Sequence, residues 1–326
     1  MGLQIIRFKQ DNEEKWGVIK GHNIIALPGT YSTLNQFLEE GVSEAHELLE
    51  SGTEAHLSLD KVEILSPVTT PARIVCQGAN YSSHREESGL EAQRPPFNMF
   101  FSKADSSLSG AYADIVRPSH VKLLDYEIEL GLIIGKEISA ASQITEENLH
   151  EYIAGLVLVN DVSARDVQLP EGQWLKGKSY RTFCPTGPFL YLLDQEEIAQ
   201  IHDLELNLWV NDELRQSANT NQLLFKPTET LAELADIMDL SVGDLVITGT
   251  TGGVALNVPS EVINEILNPF VPGNKKMELL LDSQLKSDKY LSDGDVVRAE
   301  IKSSDGSISL GVQQNKIVPE KAAVAK

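Results

Sequence analysis

The stretch that decides the fold is DYEIELGLIIG, residues 125–135, in which Glu127 and Glu129 precede an apolar run. Residues two apart share a face of a β-strand, so Glu127 and Glu129 point to the same side. The apolar residues that follow predict that this strand runs into the core. Adjacent carboxylates repel each other unless a cation lies between them. The other interpretation is the solvated edge of a half-buried sheet, where alternating acids are common.

Further β-type runs follow from Ala72 onward, mostly bounded by Gly, Asn, Asp or Pro, with few helical patterns between them. This order predicts a mainly antiparallel β fold with α elements rather than a doubly wound α/β fold. Helical patterns occur at 144–153 and 229–240. The β-type runs include RIVCQGAN (73–80), IAGLVLVNDVS (153–163), LELNLWVND (204–212), GDLVITGT (243–250) and GDVVRAEIKS (294–303).

The chain divides into two parts by composition. Residues 1–65 contain short strands and helices and are typical of a small N-terminal α+β domain. SPVTTP, residues 66–71, has two prolines and predicts a linker to a larger domain over 72–320. Residues 255–290 are less regular, with a helical pattern, EVINEIL, followed by a charged stretch. We interpret this segment as an insertion or peripheral excursion.

Charge and composition exclude several classes of protein. Of 326 residues 41% are hydrophobic, and 27 basic against 48 acidic side chains give a formal net charge of −21. Such a field repels nucleic acids and anionic membranes, so neither is expected as a partner. We also expect no membrane span and no signal peptide, since no apolar run is long enough and charge interrupts the N-terminus. Two cysteines fit a reducing compartment, so we expect a cytoplasmic protein.

A third carboxylate extends the acidic pair. Asp161 directly follows the apolar run IAGLVLVN, where functional sites are commonly built, although it is equally placed to cap the next turn. Three carboxylates without His or Cys would form an all-oxygen site. Such a ligand set suits hard cations such as Mg²⁺, Mn²⁺ or Ca²⁺ rather than Zn²⁺.

Other candidate residues lie in loops with special composition. His84 and Glu87 are three apart in GANYSSHREESG, so on a helical turn Glu87 would orient the imidazole as a base. An exposed charged loop is the alternative there. Lys178 follows Gly177 beside CPTGP, and Arg165 and Gln168 follow Asp161 closely. Arg165 and Gln168 would either bind a carboxylated substrate or form a surface ion pair. The loop ITGTTGG (247–253) would either bind an anion through its N–H and hydroxyl groups or form a plain turn.

In this order, the segments resemble the fumarylacetoacetate hydrolase family over roughly residues 72–254 and again in the closing LSDGDVVRAEI. The resemblance implies a mixed β-roll with a divalent cation, Mg²⁺ or Mn²⁺, one per subunit, and a homodimer. The matching pieces are GANYSSH-x-x-E, PPFNMFFSKADSSLSG, DYEIELGLIIG, NDVSARDVQ, QWLKGKSYRTFCPTGP and LVITGTTGG.

The resemblance also implies roles for individual residues. Glu127, Glu129 and Asp161 match the family's metal ligands. His84 and Glu87 match a dyad that activates water, and Lys178 matches a catalytic lysine beside the metal. Residues expected to contact substrate are Arg165, Gln168, Thr250 and Lys103.

Three departures from the family pattern affect the substrate rim. Thr251 stands where relatives commonly have proline, a long segment separates Thr250 from Gly294, and the last strand reads GVQQNKI. The expected activity is hydrolysis of a C–C bond in a small carboxylated keto/enol compound, or its isomerisation or decarboxylation, through an enolate that the cation stabilises. Such reactions belong to the breakdown of aromatic compounds. The alternative is a diverged, metal-stabilised small-molecule-binding protein.

Overall fold

The computed structural model describes residues 2–321, which form mixed β-sheets with helices packed around them. The strands are β1 (Leu3–Gln10), β2 (Glu13–Lys20), β3 (Asn23–Ala26), β4 (Leu57–Ser58), β5 (Glu63–Ile64), β6 (Ile74–Gly78), β7 (Met99–Lys103), β8 (Leu108–Gly110), β9 (Ile115–Arg117), β10 (Leu124–Asp125), β11 (Ile128–Ile134), β12 (Ile153–Asn160), β13 (Ser163–Ala164), β14 (Cys184–Thr186), β15 (Leu190–Leu192), β16 (Leu204–Val210), β17 (Glu213–Asn219), β18 (Leu245–Ile247), β19 (Val296–Ser303) and β20 (Ser309–Pro319).

The helices are short and lie mainly in the second half of the chain. They are α1 (Leu34–Gln36), α2 (Val42–Glu50), α3 (Ser82–Glu87), α4 (Leu149–Tyr152), α5 (Arg165–Glu171), α6 (Trp174–Lys178), α7 (Pro227–Ile237), α8 (Ser260–Leu267) and α9 (Gly273–Gln284). A π-helical turn, Phe37–Gly41, joins α1 to α2. Four 3₁₀ segments complete the set: Leu59–Lys61, Asp105–Ser107, Gln195–His202 and Thr220–Gln222.

The larger sheet has 13 strands, and β11 lies inside it between β12 and β18, antiparallel to both. All 7 residues of β11 are buried. A strand covered on both faces is expected to be a continuous apolar run rather than an alternating one. The prediction that DYEIELGLIIG runs into the core is therefore confirmed, and the interpretation as a solvated sheet edge is wrong.

A second sheet of 5 strands, in the order β17-β16-β19-β20-β9, packs against the first. In β16 the side chains alternate, and Leu206 and Leu208 are fully buried. They belong to the same hydrophobic core as Leu130 and Leu132 of β11, so the main core lies between the two sheets. The predicted fold class, mainly β with α elements, is confirmed.

The N-terminal strands belong to the larger sheet. Strand β1 pairs antiparallel with β15, with Leu3 opposite Leu192 and Ile5 opposite Leu190. Val68, within the predicted linker, is 2% exposed and packs in the same core as Ile5. Strands from before and after residues 66–71 thus belong to one sheet, and the division into domains at 1–65 and 72–320 stays a prediction.

The segment 255–290 forms α8 and α9, which pack against each other and against α5. Ile263, Ile266 and Leu280 from these helices are buried in the main core. The segment is therefore not peripheral, and that part of the interpretation is wrong. That it is an insertion stays a prediction.

Of the two helices predicted among the β-strands after Ala72, one forms over most of its length and the other forms only in part. Helix α7 covers most of the pattern at 229–240, whereas only α4 forms within 144–153. There the Asn148 side chain accepts from the Thr145 N–H at 2.8 Å, which stabilises a turn instead of a helix start. Within residues 2–321, none of the helices has the length and apolarity required to cross a bilayer.

Candidate active site

Three buried carboxylates converge at the ends of β11 and β12. Ligand oxygens of Glu127, Glu129 and Asp161 all lie within 4.8 Å of one another. The strand pairing explains the convergence, because Ile128 lies opposite Asn160 and the Asp161 N–H donates to the Glu127 carbonyl at 2.8 Å. The three acids predicted as metal ligands are therefore brought together by the register of two core strands.

Two buried lysines face this triad. The Lys178 ammonium lies 2.6 Å from Glu127 Oε2 and 2.6 Å from Asp161 Oδ2. The Lys103 ammonium lies 2.5 Å from Asp161 Oδ1, and this side chain is completely buried. Lys178 stands at the end of α6 and Lys103 at the end of β7. Lys103 was expected at the substrate; the structure places it against a carboxylate of the triad.

Arg165 links the triad to a fourth buried acid. Its guanidinium lies 2.5 Å from Glu127 Oε1 and 2.8 Å from Asp125 Oδ2, and it donates to Gln168 Oε1 at 3.0 Å. Asp125 also accepts from the backbone N–H groups of the segment 255–256, at 2.7 and 3.1 Å. Sequence reasoning missed Asp125, although its place two residues before Glu127 in the same acidic segment was an available signal.

The charges of the triad are unevenly compensated. Burial, together with the charges of Asp161 and Glu127, raises the pKa of Glu129 well above its usual range. Burial alone would also raise the pKa of Glu127, but the adjacent Arg165 and Lys178 hold it well below the usual range. Within residues 2–321, Glu129 accepts only one hydrogen bond, from the Gly249 N–H at 2.6 Å. Three converging oxygen donors, of which Glu129 has no cationic contact among the described residues, fit a hard divalent cation.

His84 is buried on α3 beside the triad. Burial lowers the pKa of its imidazole to about 4, so the ring is neutral near pH 7 and able to accept a proton. Within residues 2–321 its Nδ1 atom has no hydrogen-bond partner. Glu87 does not supply one, because its carboxylate accepts from the Gly253 N–H at 3.0 and 2.8 Å. The two residues share a helix as predicted, but the expected hydrogen-bonded dyad is not formed.

Thr250 is held by protein groups at the end of β18. Its hydroxyl donates to the Ile128 carbonyl at 2.9 Å and accepts from Gln216 Nε2 at 2.8 Å. The Gln216 amide also donates to the Thr251 carbonyl at 2.9 Å. Thr250 therefore ties the loop after β18 to β11.

A cavity of about 150 Å³ opens onto these groups. The predicted residues that line it are His84, Glu127, Glu129, Arg165, Gln168, Lys178 and Thr250. Asp161, Lys103 and Glu87 are not among the residues that line it. Asp161 pairs with both Lys103 and Lys178, and Glu87 accepts from the Gly253 N–H. The cavity is also lined by Leu256, Ile263 and Leu267 from the segment whose role sequence reasoning did not foresee.

Comparison with known proteins agrees with this geometry. A sequence model described as fumarylacetoacetate (FAA) hydrolase C-terminal matches residues 73–318. The mitochondrial oxaloacetate tautomerase Fahd2a of Rattus norvegicus is 38% identical over 233 residues, 70% of this chain and 72% of that protein. Among solved structures, a probable 2-hydroxyhepta-2,4-diene-1,7-dioate isomerase from Mycobacterium abscessus has a TM-score of 0.72 at 27% identity, covering 99% of this chain and 100% of that chain. A fumarylacetoacetate hydrolase from psychrophilic Exiguobacterium antarcticum has a TM-score of 0.70 at 28% identity, covering 98% and 100%.

Proposed function

Because the chain belongs to the fumarylacetoacetate hydrolase family and is an enzyme of that family, we propose that it converts a small 2-oxo acid through an enolate. One divalent cation, Mg²⁺ or Mn²⁺, assists the reaction. The observation that carries this proposal is the buried triad of Glu127, Glu129 and Asp161 at a small cavity beside a neutral histidine.

The residues present fit the cation. Glu127, Glu129 and Asp161 would hold it, because they offer three converging oxygens, the donor type that Mg²⁺ and Mn²⁺ prefer. When bound, the cation supplies positive charge that stabilises an enolate of the substrate. Lys178 and Arg165 keep Glu127 ionised and oriented, since both contact its carboxylate.

The chain's own groups would bind the substrate and move its proton. Arg165 and Gln168 line the cavity next to the triad, and we propose that they orient the substrate carboxylate. The neutral His84 accepts a proton from the substrate carbon, or from water, and returns it to product. Glu87 positions the loop at Gly253 instead of activating His84.

Keto–enol tautomerisation of oxaloacetate is the first reaction we propose. Its support is the rat relative, 38% identical, which is named an oxaloacetate tautomerase. The second candidate is hydrolysis or isomerisation of a carboxylated keto/enol compound. Solved structures with those names match nearly the whole chain at 27% and 28% identity. All of these reactions need the same enolate, so the same residues serve each of them.

The test is tautomerisation of oxaloacetate by purified protein, stripped of metal with chelator and then reloaded with Mg²⁺ or Mn²⁺. We expect activity above the spontaneous rate only after reloading, and loss of metal binding in Glu129→Gln. Glu197→Gln is the matched control, since Glu197 is also buried but bonds to Gly2 and Tyr191. Activity that survives complete metal removal contradicts the proposal.

The cellular setting and the assembly stay proposals. We infer a homodimer from the family resemblance, and light scattering of the purified protein tests it. The cytoplasmic location predicted from the sequence has no support from the rat relative, which is named mitochondrial. Participation in the breakdown of aromatic compounds is likewise a prediction.

A further inference from the structure

The cavity extends from the triad along two helices. Arg165, the first residue of α5, contacts Glu127, and Leu169, four residues later, lines the same cavity. On α3, His84 lines the cavity beside the triad, and Ser88, again four residues later, also lines it. Four residues of an α-helix advance by about 6 Å. The cavity therefore continues for about one helical turn beyond the charged groups.

Helix α8 closes the cavity at this level. Ile263 of α8 is 4% exposed and lines the cavity. It is held against the end of α3, because a Cβ added at Gly89 would lie 2.8 Å from the Ile263 methyl group and 3.0 Å from the Val258 carbonyl oxygen. Gly89 has a φ of +75°, which glycine adopts without strain. The missing side chain at Gly89 thus lets α8 approach α3, and Ile263 stands about one turn from His84.

The next turn of α8 leads to solvent. Leu267, four residues after Ile263, also lines the cavity but is 55% exposed. The triad at the inner end is buried, with Arg165 and Lys178 in contact with it. From the inner end outward, the cavity therefore passes the charged groups, then Ile263, then Leu267.

The position of Ile263 sets a length for the substrate. An extended chain advances by about 1.2 Å per backbone bond, so the end carbons of a four-carbon acid are about 4 Å apart and those of a seven-carbon acid about 7 Å. With its oxo-acid end at the triad, a four- or five-carbon dioate ends before Ile263, and both of its carboxylates stay on the triad side. A seven-carbon dioate would reach the level of Ile263.

We propose that Ile263 is a specificity-determining residue that limits the substrate to short 2-oxo acids, of four or five carbons. This inference rests on the proposed function, because it places the oxo-acid end at the triad. Of the two candidate reactions, it favours tautomerisation of oxaloacetate, which has four carbons.

The test is a binding measurement that needs no turnover. Protein loaded with Mn²⁺ is titrated calorimetrically with 2-oxopentanedioate and with 2-oxoheptanedioate, which have the same two ends and differ only by two methylenes. Apolar burial alone would favour the longer acid. Because methylenes forced into a filled space are unfavourable, we expect the shorter acid to bind at least about tenfold more tightly.

A matched pair of variants locates the effect. Ile263 and Ile266 lie on the same helix and are 4% and 1% exposed, but only Ile263 belongs to the residues that line the cavity. Ile263→Ala enlarges the cavity and should reduce the preference for the shorter acid to less than about threefold, whereas Ile266→Ala should leave it unchanged. Ile263→Val, which removes one methylene, should give an intermediate preference and is the milder variant if Ile263→Ala does not fold. Thermal unfolding checks each variant.

Turnover of oxaloacetate, measured alongside, separates this inference from the proposed function. Preference for the shorter acid that is lost in the Ile263 variants, without turnover, supports the length limit and contradicts the proposed reaction. Turnover with equal affinity for both acids supports the reaction and overturns the length limit. Failure of both acids to bind, or a preference that the Ile263 variants keep, also overturns the length limit.

Discussion

Asp125→Asn tests whether a buried ion pair ties the segment 255–290 to the charged site. Asp125 is fully buried and accepts from Arg165 at 2.8 Å, and from the N–H groups of Ala255 and Leu256 at 2.7 and 3.1 Å. Asparagine has the size of aspartate but lacks its negative charge. Its amide NH₂ group would also face the N–H donors that now bind the carboxylate. Breaking a buried pair costs about 3–5 kcal/mol. Because Arg165 keeps its ion pair with Glu127 in this variant, we expect a loss of unfolding free energy at the lower end of that range, about 3 kcal/mol.

Differential scanning calorimetry of the metal-free protein measures this loss. With an unfolding entropy of roughly 2.1 cal/mol/K per residue, about 3 kcal/mol lowers the melting temperature by about 4 °C. The control is Asp293→Asn, which breaks a pair with Arg117 of the same length, 2.8 Å, at side chains 36% and 27% exposed. Exposed pairs contribute about 0–1 kcal/mol, so its shift should stay below about 1.5 °C. Equal shifts in the two variants would refute the reasoning.

Three further predictions concern α3. His84→Ala should lower kcat on oxaloacetate at least about 100-fold, because a proton acceptor is removed, while calorimetry shows unchanged Mn²⁺ binding; a small loss of rate would exclude His84 as the base. Glu87→Gln should keep kcat/KM within about tenfold of wild type, because glutamine still accepts from the Gly253 N–H. A loss as large as that of His84→Ala would instead support the expected catalytic pair of His84 and Glu87. Burial lowers the pKa of His84 from 6.5 to about 4, so between these values the unfolded chain binds more protons than the folded chain. The free energy of unfolding therefore decreases as the pH is lowered through this range. From pH 7 to pH 5, urea unfolding should show wild type losing about 2 kcal/mol more than His84→Asn, and equal losses would contradict the lowered pKa.

The triad was predictable because short-range rules govern it. Alternation along an extended segment predicts that Glu127, which directly precedes β11, and Glu129, within β11, point to the same side, and Asp161 follows the strand that pairs with β11. The apolar run after Glu129 indicated burial without knowledge of the partners. Local periodicity and the length of apolar runs were therefore sufficient for the fold class and for the acidic cluster.

The remaining features depend on contacts between distant parts of the chain. The spacing of His84 and Glu87 correctly predicts one helix, but it does not reveal that Gly253 offers its N–H to the glutamate. Likewise, the bonds from residues 255–256 to Asp125 join positions far apart in sequence. Helix α9 has a weak apolar pattern, so the charged stretch after Pro272 gave no clear helical signal.

The charges around the triad bear on the order in which ligands bind. The cluster has one more carboxylate than cations, since it consists of Asp125, Glu127, Glu129 and Asp161 with Lys103, Lys178 and Arg165. The formal charge of the cluster is therefore negative without a metal ion, and it becomes positive when a divalent cation is bound. An anionic substrate is repelled before metal binds and attracted afterwards, within a protein of net charge −21. We expect metal and substrate to bind cooperatively, and by reciprocity the substrate should increase the affinity for the metal by the same factor.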